Sequence, residues 1–314
     1  MHHKLARTTA RTAVIGAVIV LGAAAAAQGA MAKPVPGGIV SVPCHTPALI
    51  SAISGAISGE KLHLAFGCTY QLTARLPDID TNLTIVGFGD TLERSEADGT
   101  PDFTILTVDA GHVNLVAVNF RNGGGDDADN AGAIDNEGGN ITVLGGTFAD
   151  NNEGDGAIYN KSGTLTVTSV HFTKNAAEAG GAISNNATMT LRSSHFFENS
   201  ANIGGAIYNA GTAAVIGTTF TENAAFEGGA LSNTGKAALS SVTIKDNSAE
   251  VAVGGGIYNG GTLTAASSNI VDNDAQHGGG GIYNGGSVAL SRTKVSGNAP
   301  DNCEPVGTIA GCSG

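Results

Sequence analysis

Between residues 113 and 298 the apolar and polar positions recur about every 24 residues. Short stretches such as Thr164–Thr168 and Thr188–Arg192 place an apolar side chain at every second position, the two-residue period of a half-buried strand. The apolar pairs are Ile141 and Val143, Leu165 and Val167, Met189 and Leu191, Ala213 and Val215, Ala237 and Leu239, Leu263 and Ala265, then Val288 and Leu290. Each pair is followed by an apolar residue and, three positions on, an asparagine: Phe148/Asn151, Phe172/Asn175, Phe196/Asn199, Phe220/Asn223, Ile244/Asn247, Ile270/Asn273 and Val295/Asn298. Val113, Leu115 and Phe120 carry the register one unit further back. A second marker, a glycine-rich run ending in apolar-x-Asn, puts its apolar residue at 134, 158, 183, 207, 231, 257 and 282.

A unit of this length with two or three short strands cannot bury its apolar face alone, whereas stacked units can. The prediction is an all-β parallel β-helix, each coil pairing edge to edge with the next at about 4.8 Å. Inward Ile, Leu, Val and Phe fill the tube. Recurrent Gly marks places of positive φ or close backbone approach. Recurrent Asn is expected to adopt left-handed geometry and to hydrogen-bond from coil to coil.

Such a solenoid exposes a strand edge at each end, and exposed edges invite association unless covered. Thr46 through Ile57 reads as a short amphipathic helix with Leu49, Ile50, Ile53 and Ile57 on one side, a cap for the first coil. Four cysteines allow three pairings. About ten coils would separate the two ends by roughly 45–50 Å, too far for a disulfide, whose Cα atoms stand at most about 7 Å apart. Local pairing follows: Cys44 with Cys68 and Cys303 with Cys312. The segments are read as 1–32 signal peptide, 33–75 cap, 76–298 β-helix and 299–314 disulfide loop.

The segment 1–32 carries Lys4, Arg7 and Arg11, then an apolar run to about Ala27 and the small-residue ending Ala30-Met31-Ala32, the pattern of a cleavable secretory signal. The whole chain has 15 basic and 27 acidic side chains. Loss of the signal leaves 12 basic side chains against the same 27 acidic ones, a net of −15. That sign argues against phosphate-rich partners such as nucleic acid. The expected product is a secreted, extracellular or surface-associated monomer without a membrane span. Composition agrees: 47 Gly, 25 Asn, no Trp and 13% charged residues do not make a helical protein.

The paired signatures Gly180-Gly-Ala-Ile183 and Phe196-Phe-Glu-Asn199 resemble the repeats of the chlamydial polymorphic outer membrane proteins. The mature chain with its Cys-stapled ends resembles the secreted right-handed β-helix repeat proteins of actinobacteria. The resemblance implies a single-stranded, right-handed, pectin-lyase-like solenoid, and adhesion as the function of one branch.

Candidate chemistry is sparse. Asp126, Asp127 and Asp129 lie in the one long turn, with Asp135 close behind, and are the candidate calcium ligands. A solvated acidic loop is the plainer account. No catalytic residue is assigned and no other cofactor is expected. Asp150, Glu198, Glu222, Asp246 and Asp272, interrupted by Lys174, form an acidic column before the asparagines. His171 and His195 occupy one position in adjacent coils. Tyr159, Tyr208, Tyr258 and Tyr283 share an outward position with Asp135, Ser184 and Ser232. Rings two coils apart stand roughly 10 Å from each other, comparable to a disaccharide step. The sequence thus points to a non-catalytic, adhesin-like or envelope-associated module binding a glycan or surface protein. A β-helix polysaccharide lyase or glycoside hydrolase is the alternative.

Overall fold

The computed structural model describes residues 37–125 and 130–312. The expected signal segment and Asp126, Asp127 and Asp129 lie outside the described residues. The described chain is a parallel β-solenoid of about eleven turns. Its strands form ladders of 19, nine and five strands, here the main, second and third sheets.

One central coil shows the course of the chain. Thr164–Thr168 and His171–Thr173 lie in the main sheet, Ala176–Ala179 in the third, and Ile183–Asn185 in the second. Register is residue for residue: Leu165 faces Ile141 and Met189, Phe172 faces Phe148 and Phe196, and Ile183 faces Ile158 and Ile207. Like therefore stacks on like. Phe120, Phe148, Phe172, Phe196 and Phe220 form a buried column with neighbouring ring centroids 4.6–5.0 Å apart, a geometry that adds to the area term of aromatic burial.

Two asparagine ladders run inside the tube. In one, each amide from Asn136 through Asn160, Asn185, Asn209, Asn233 and Asn259 donates to the next coil's side-chain oxygen, ending on Asn284, at 2.6–2.9 Å. In the other, Asn151, Asn175, Asn199, Asn223, Asn247 and Asn273 do the same, ending on Asn298, at 2.8–2.9 Å. Their amides also donate to the preceding coil's carbonyls, as Asn199 does to Phe172 at 3.1 Å. Buried polar atoms need partners of this kind, so the ladder explains why Asn tolerates the interior.

The left-handed geometry expected of these asparagines belongs instead to their neighbours. Asp150, Lys174, Glu198, Glu222, Asp246 and Asp272, each just before a ladder Asn, have φ of 53–56°. The bend that aims the Asn amide inward consumes a left-handed residue one position earlier, leaving the Asn free for the ladder. Glycine is required at Gly180: φ is 63°, and a Cβ would stand 2.2 Å from the Ile183 carbonyl oxygen.

At the N-terminal end helix α1 (Thr46–Ser54) buries Leu49 and Ile53 against the first strands. It stops at Gly55, and Ile57 lies beyond it in the following turn. The strands Ile39–Val42, Glu60–Leu64 and Thr69–Leu72 already belong to the main sheet. Both disulfides have the expected pairing, with Cα–Cα distances of 5.6 Å for Cys44–Cys68 and 6.2 Å for Cys303–Cys312. Cys303–Glu304 adds a last strand to the second sheet, and Ile309 is buried against the core. The last main-sheet coil is less covered: Val288, Leu290 and Val295 are only partly buried. Among the described residues no helix is long and apolar enough to cross a membrane.

Candidate functional site

The outer face of the second sheet collects the row singled out in the sequence. Apart from the two-residue Cys303–Glu304, its strands are three residues long, so the first and third side chains point inward and the middle one points out. Pairing places Thr107, Asp135, Tyr159, Ser184, Tyr208, Ser232, Tyr258, Tyr283 and Glu304 in one column. The shared register of the four tyrosines is as expected; their environments differ.

Tyr159 is 6% exposed, and its hydroxyl accepts a hydrogen bond from Asn186 Nδ2 at 2.8 Å. Asn186 belongs to the next coil, so the ring reaches past Ser184, which is buried. Tyr208 repeats the arrangement over buried Ser232, its hydroxyl 3.5 Å from Thr234 Oγ1. The alternation of Tyr and Ser is therefore a packing relation, since a leaning ring needs a small residue on the next coil. Tyr258 meets Tyr283 there instead, and the two rings stack with centroids 5.6 Å apart and planes 6° apart. Tyr208, Tyr258 and Tyr283 are half-buried and form the solvent-facing part of the row.

Carboxylates border this platform. Burial holds the Glu227 carboxyl above its ordinary value, and burial together with the Glu227 charge and Tyr283 raises the Tyr258 phenol. Glu304, in register with Tyr283, lies so close over Gly278 that a Cβ there would be 2.2 Å from its Oε2. Ser232 Oγ, between Tyr208 and Tyr258, is buried without a hydrogen-bond partner.

At the other end of the column Asp135 is 3% exposed, and its Oδ1 is buried without a partner. Burial, then the nearby Glu137 charge, push its pKa up to about 7 against the opposing pull of Lys161 and the Ala131 amide. Lys161 is itself held by Glu137 at 2.9 Å.

A polar cleft of about 170 Å³ lies on an earlier part of the solenoid, lined by Arg94, Glu96, Asp102, Asn122, Asp150 and Glu153 among others. Its bases are engaged: Arg94 pairs with Asp102 at 3.2 Å, and neighbouring Arg121 with Asp150 at 3.3 Å and Glu93 at 3.7 Å. The acidic column is partly compensated as well, through Lys174–Glu198 at 3.6 Å and Lys245–Asp246 at 3.0 Å. His171 and His195 sit side by side with ring centroids 6.1 Å apart, and burial, then the His171 charge, lower the His195 pKa. Thr147, Thr219, Thr243, Asn269 and Lys294 hold the same outward position in other coils. Among the described residues no three His, Cys, Asp or Glu side chains converge as a metal site.

No protein-family model matches this sequence. No curated protein matches it either. Among solved structures, the alginate lyase from Paenibacillus sp. str. FPU-7 is similar at a TM-score of 0.44 and 14% identity, over 83% of this chain and 97% of that one.

Proposed function

We propose that this protein is a secreted, non-catalytic β-helix that binds an extracellular glycan through the outer face of its second sheet, as an adhesin-like or envelope-associated module. The observation that carries the reading is the Tyr258–Tyr283 pair, stacked and half-exposed, with the Tyr208 ring two coils from Tyr258. Two properties make this arrangement a platform for a sugar chain. Aromatic rings offer broad apolar contact at small conformational cost, and rings fixed to successive coils repeat in step with the solenoid, as units of a polysaccharide repeat. The phenols of Tyr258 and Tyr283 make no hydrogen bond to the described protein, which leaves them to donate to and accept from sugar hydroxyls.

A glycan and cell-wall array reads this directly. Binding is expected for the wild type and its loss for the double variant Tyr208→Ala, Tyr258→Ala; unchanged binding in that variant refutes the platform. Both rings lie on the outside of the tube, so the variant is expected to keep its far-ultraviolet dichroism.

The polar cleft around Arg94, Asp102 and Asp150 supports a second reading, a carbohydrate-cleaving enzyme. Carboxylates flanking a sugar bond are the usual instrument of glycoside hydrolysis. On that reading polysaccharides incubated with the protein lose viscosity and gain reducing ends, and Asp150→Asn abolishes the change. Absence of turnover on a broad panel refutes it.

A further inference from the structure

We infer that the glycan recognised at the tyrosine platform carries positively charged amino groups; the inference rests on the glycan reading above and names its ligand class. Three observations lead there. First, the platform is bordered by a carboxylate: half-buried Glu304 stands in register with Tyr283 on the next coil, and the Glu227 charge acts on the Tyr258 phenol in the same sense. Second, no Lys or Arg occupies any position of the column from Thr107 to Glu304. Lys161, in the turn after Tyr159, is tied to Glu137. Third, Ser232 Oγ sits buried and unpartnered in the floor between Tyr208 and Tyr258, a polar atom facing the same side with no protein group to satisfy it.

The chemistry follows from these placements. An anionic polysaccharide laid on this face meets carboxylates without a neutralising base, in a chain whose net charge is already −12. A uronate chain is therefore repelled. An ammonium group meets the reverse: electron-rich ring faces attract it, and a partly desolvated carboxylate beside the ring strengthens the attraction. The combination of stacked tyrosines with an adjacent half-buried glutamate is thus complementary to an amino sugar. A neutral sugar gains the ring contact alone. The repeat of rings along the solenoid favours a polymer of such sugars over a lone small amine, since successive units engage successive coils.

The test compares four probes by titration calorimetry on the exported chain: a glucosamine hexamer, its fully N-acetylated counterpart, an oligouronate of similar length, and oligolysine. The glucosamine hexamer is expected to bind about tenfold tighter than the acetylated one, the size of a desolvated cation–π contact with its carboxylate, and the oligouronate not to bind. Raising the ionic strength from 0.05 to 0.5 M is expected to weaken the amine-bearing hexamer and spare the acetylated one. Glu304→Gln is expected to remove most of the tenfold preference while leaving the acetylated hexamer unchanged; Tyr258→Ala weakens both. Equal binding of the two hexamers, or a preference unmoved in Glu304→Gln, overturns the amine assignment and leaves the glycan reading standing. Oligolysine binding as tightly as the glucosamine hexamer shows that the face reads charge on a peptide, and overturns the assignment too. Binding to none of the probes, together with a silent glycan array, overturns the glycan reading itself.

Discussion

Asp135→Asn removes a carboxyl group that the fold holds against its ionisation. Asp135 is the middle residue of the strand Ile134–Asn136, nearly sealed from solvent, with one carboxyl oxygen unpartnered. Its pKa stands at about 7 instead of 3.8, because burial disfavours the charge first and Glu137 repels it second. The unfolded chain releases this proton near pH 4, whereas the folded chain keeps it until near pH 7. Between those values the folded state binds more protons than the unfolded state, so this group's contribution to stability falls as pH rises through the window. The shift sets an upper bound of about 4 kcal/mol, at 1.36 kcal/mol per pKa unit. Asparagine is neutral throughout and lacks that dependence. Chemical denaturation of both proteins at pH 4.5, 6 and 8 measures the effect, and other titrating groups cancel in the difference. The variant is expected to gain about 2–4 kcal/mol on the wild type between pH 4.5 and 8. A difference that stays constant over this range refutes the reasoning, since it would mean that Asp135 is ionised in the folded protein at every pH tested.

Asn199→Ala takes away the acceptor of the Asn175 backbone N–H and side-chain amide and the donor to the Phe172 carbonyl, all inside the tube. A loss of about 3 kcal/mol or more is expected from stranding such groups, measured as a lower denaturation midpoint; a loss below about 1 kcal/mol would show that the ladder is dispensable. Phe172→Ala opens a gap between Phe148 and Phe196 and is expected to cost about 3–5 kcal/mol, readable in the same assay. Opening Cys44–Cys68, which closes 24 residues, is expected to cost about 3.5 kcal/mol; opening Cys303–Cys312, which closes nine, about 2.6 kcal/mol. Paired Cys→Ser variants compared in thermal melts decide that order.

The coil register was legible in the sequence because inward positions repeat chemically as well as in spacing. Phe148, Phe172 and Phe196 fill equivalent places since each must stack on the last, and a change of size would disturb two neighbours. The asparagine ladders were legible for the same reason. What escaped was local: the left-handed bend falls on Asp150, Lys174 or Glu198, a position filled by Asp in some coils and by Lys or Glu, which carry little signal for positive φ, in others, and not on the Asn that follows. Helix α1 ended one turn early because Gly55 closes it, although the apolar spacing continued to Ile57. On the site, register was readable and exposure was not. Tyr159 and Tyr208 share one pattern with Tyr258, and the buried ring is the one whose hydroxyl accepts from Asn186 on the next coil.

The outward column shows how a repeat that is strict inside varies outside. Inward side chains are bound by contacts above and below, so substitutions there cost stability and the column stays uniform. An outward side chain is free to vary only as far as its neighbour on the next coil allows. Where Ser follows Tyr, the ring lies down and closes its own coil, as Tyr159 does over Ser184. Where Tyr follows Tyr, neither ring has that room, and both stand as a stacked pair open to solvent. Tyr208, also followed by a serine, is half-exposed like Tyr258 and Tyr283, so the sealed ring is Tyr159 with its Asn186 partner and the accessible part of the column is Tyr208 with the stacked Tyr258–Tyr283 pair. On the proposed reading, this accessible stretch is where a glycan would meet rings and the Glu304 carboxylate together.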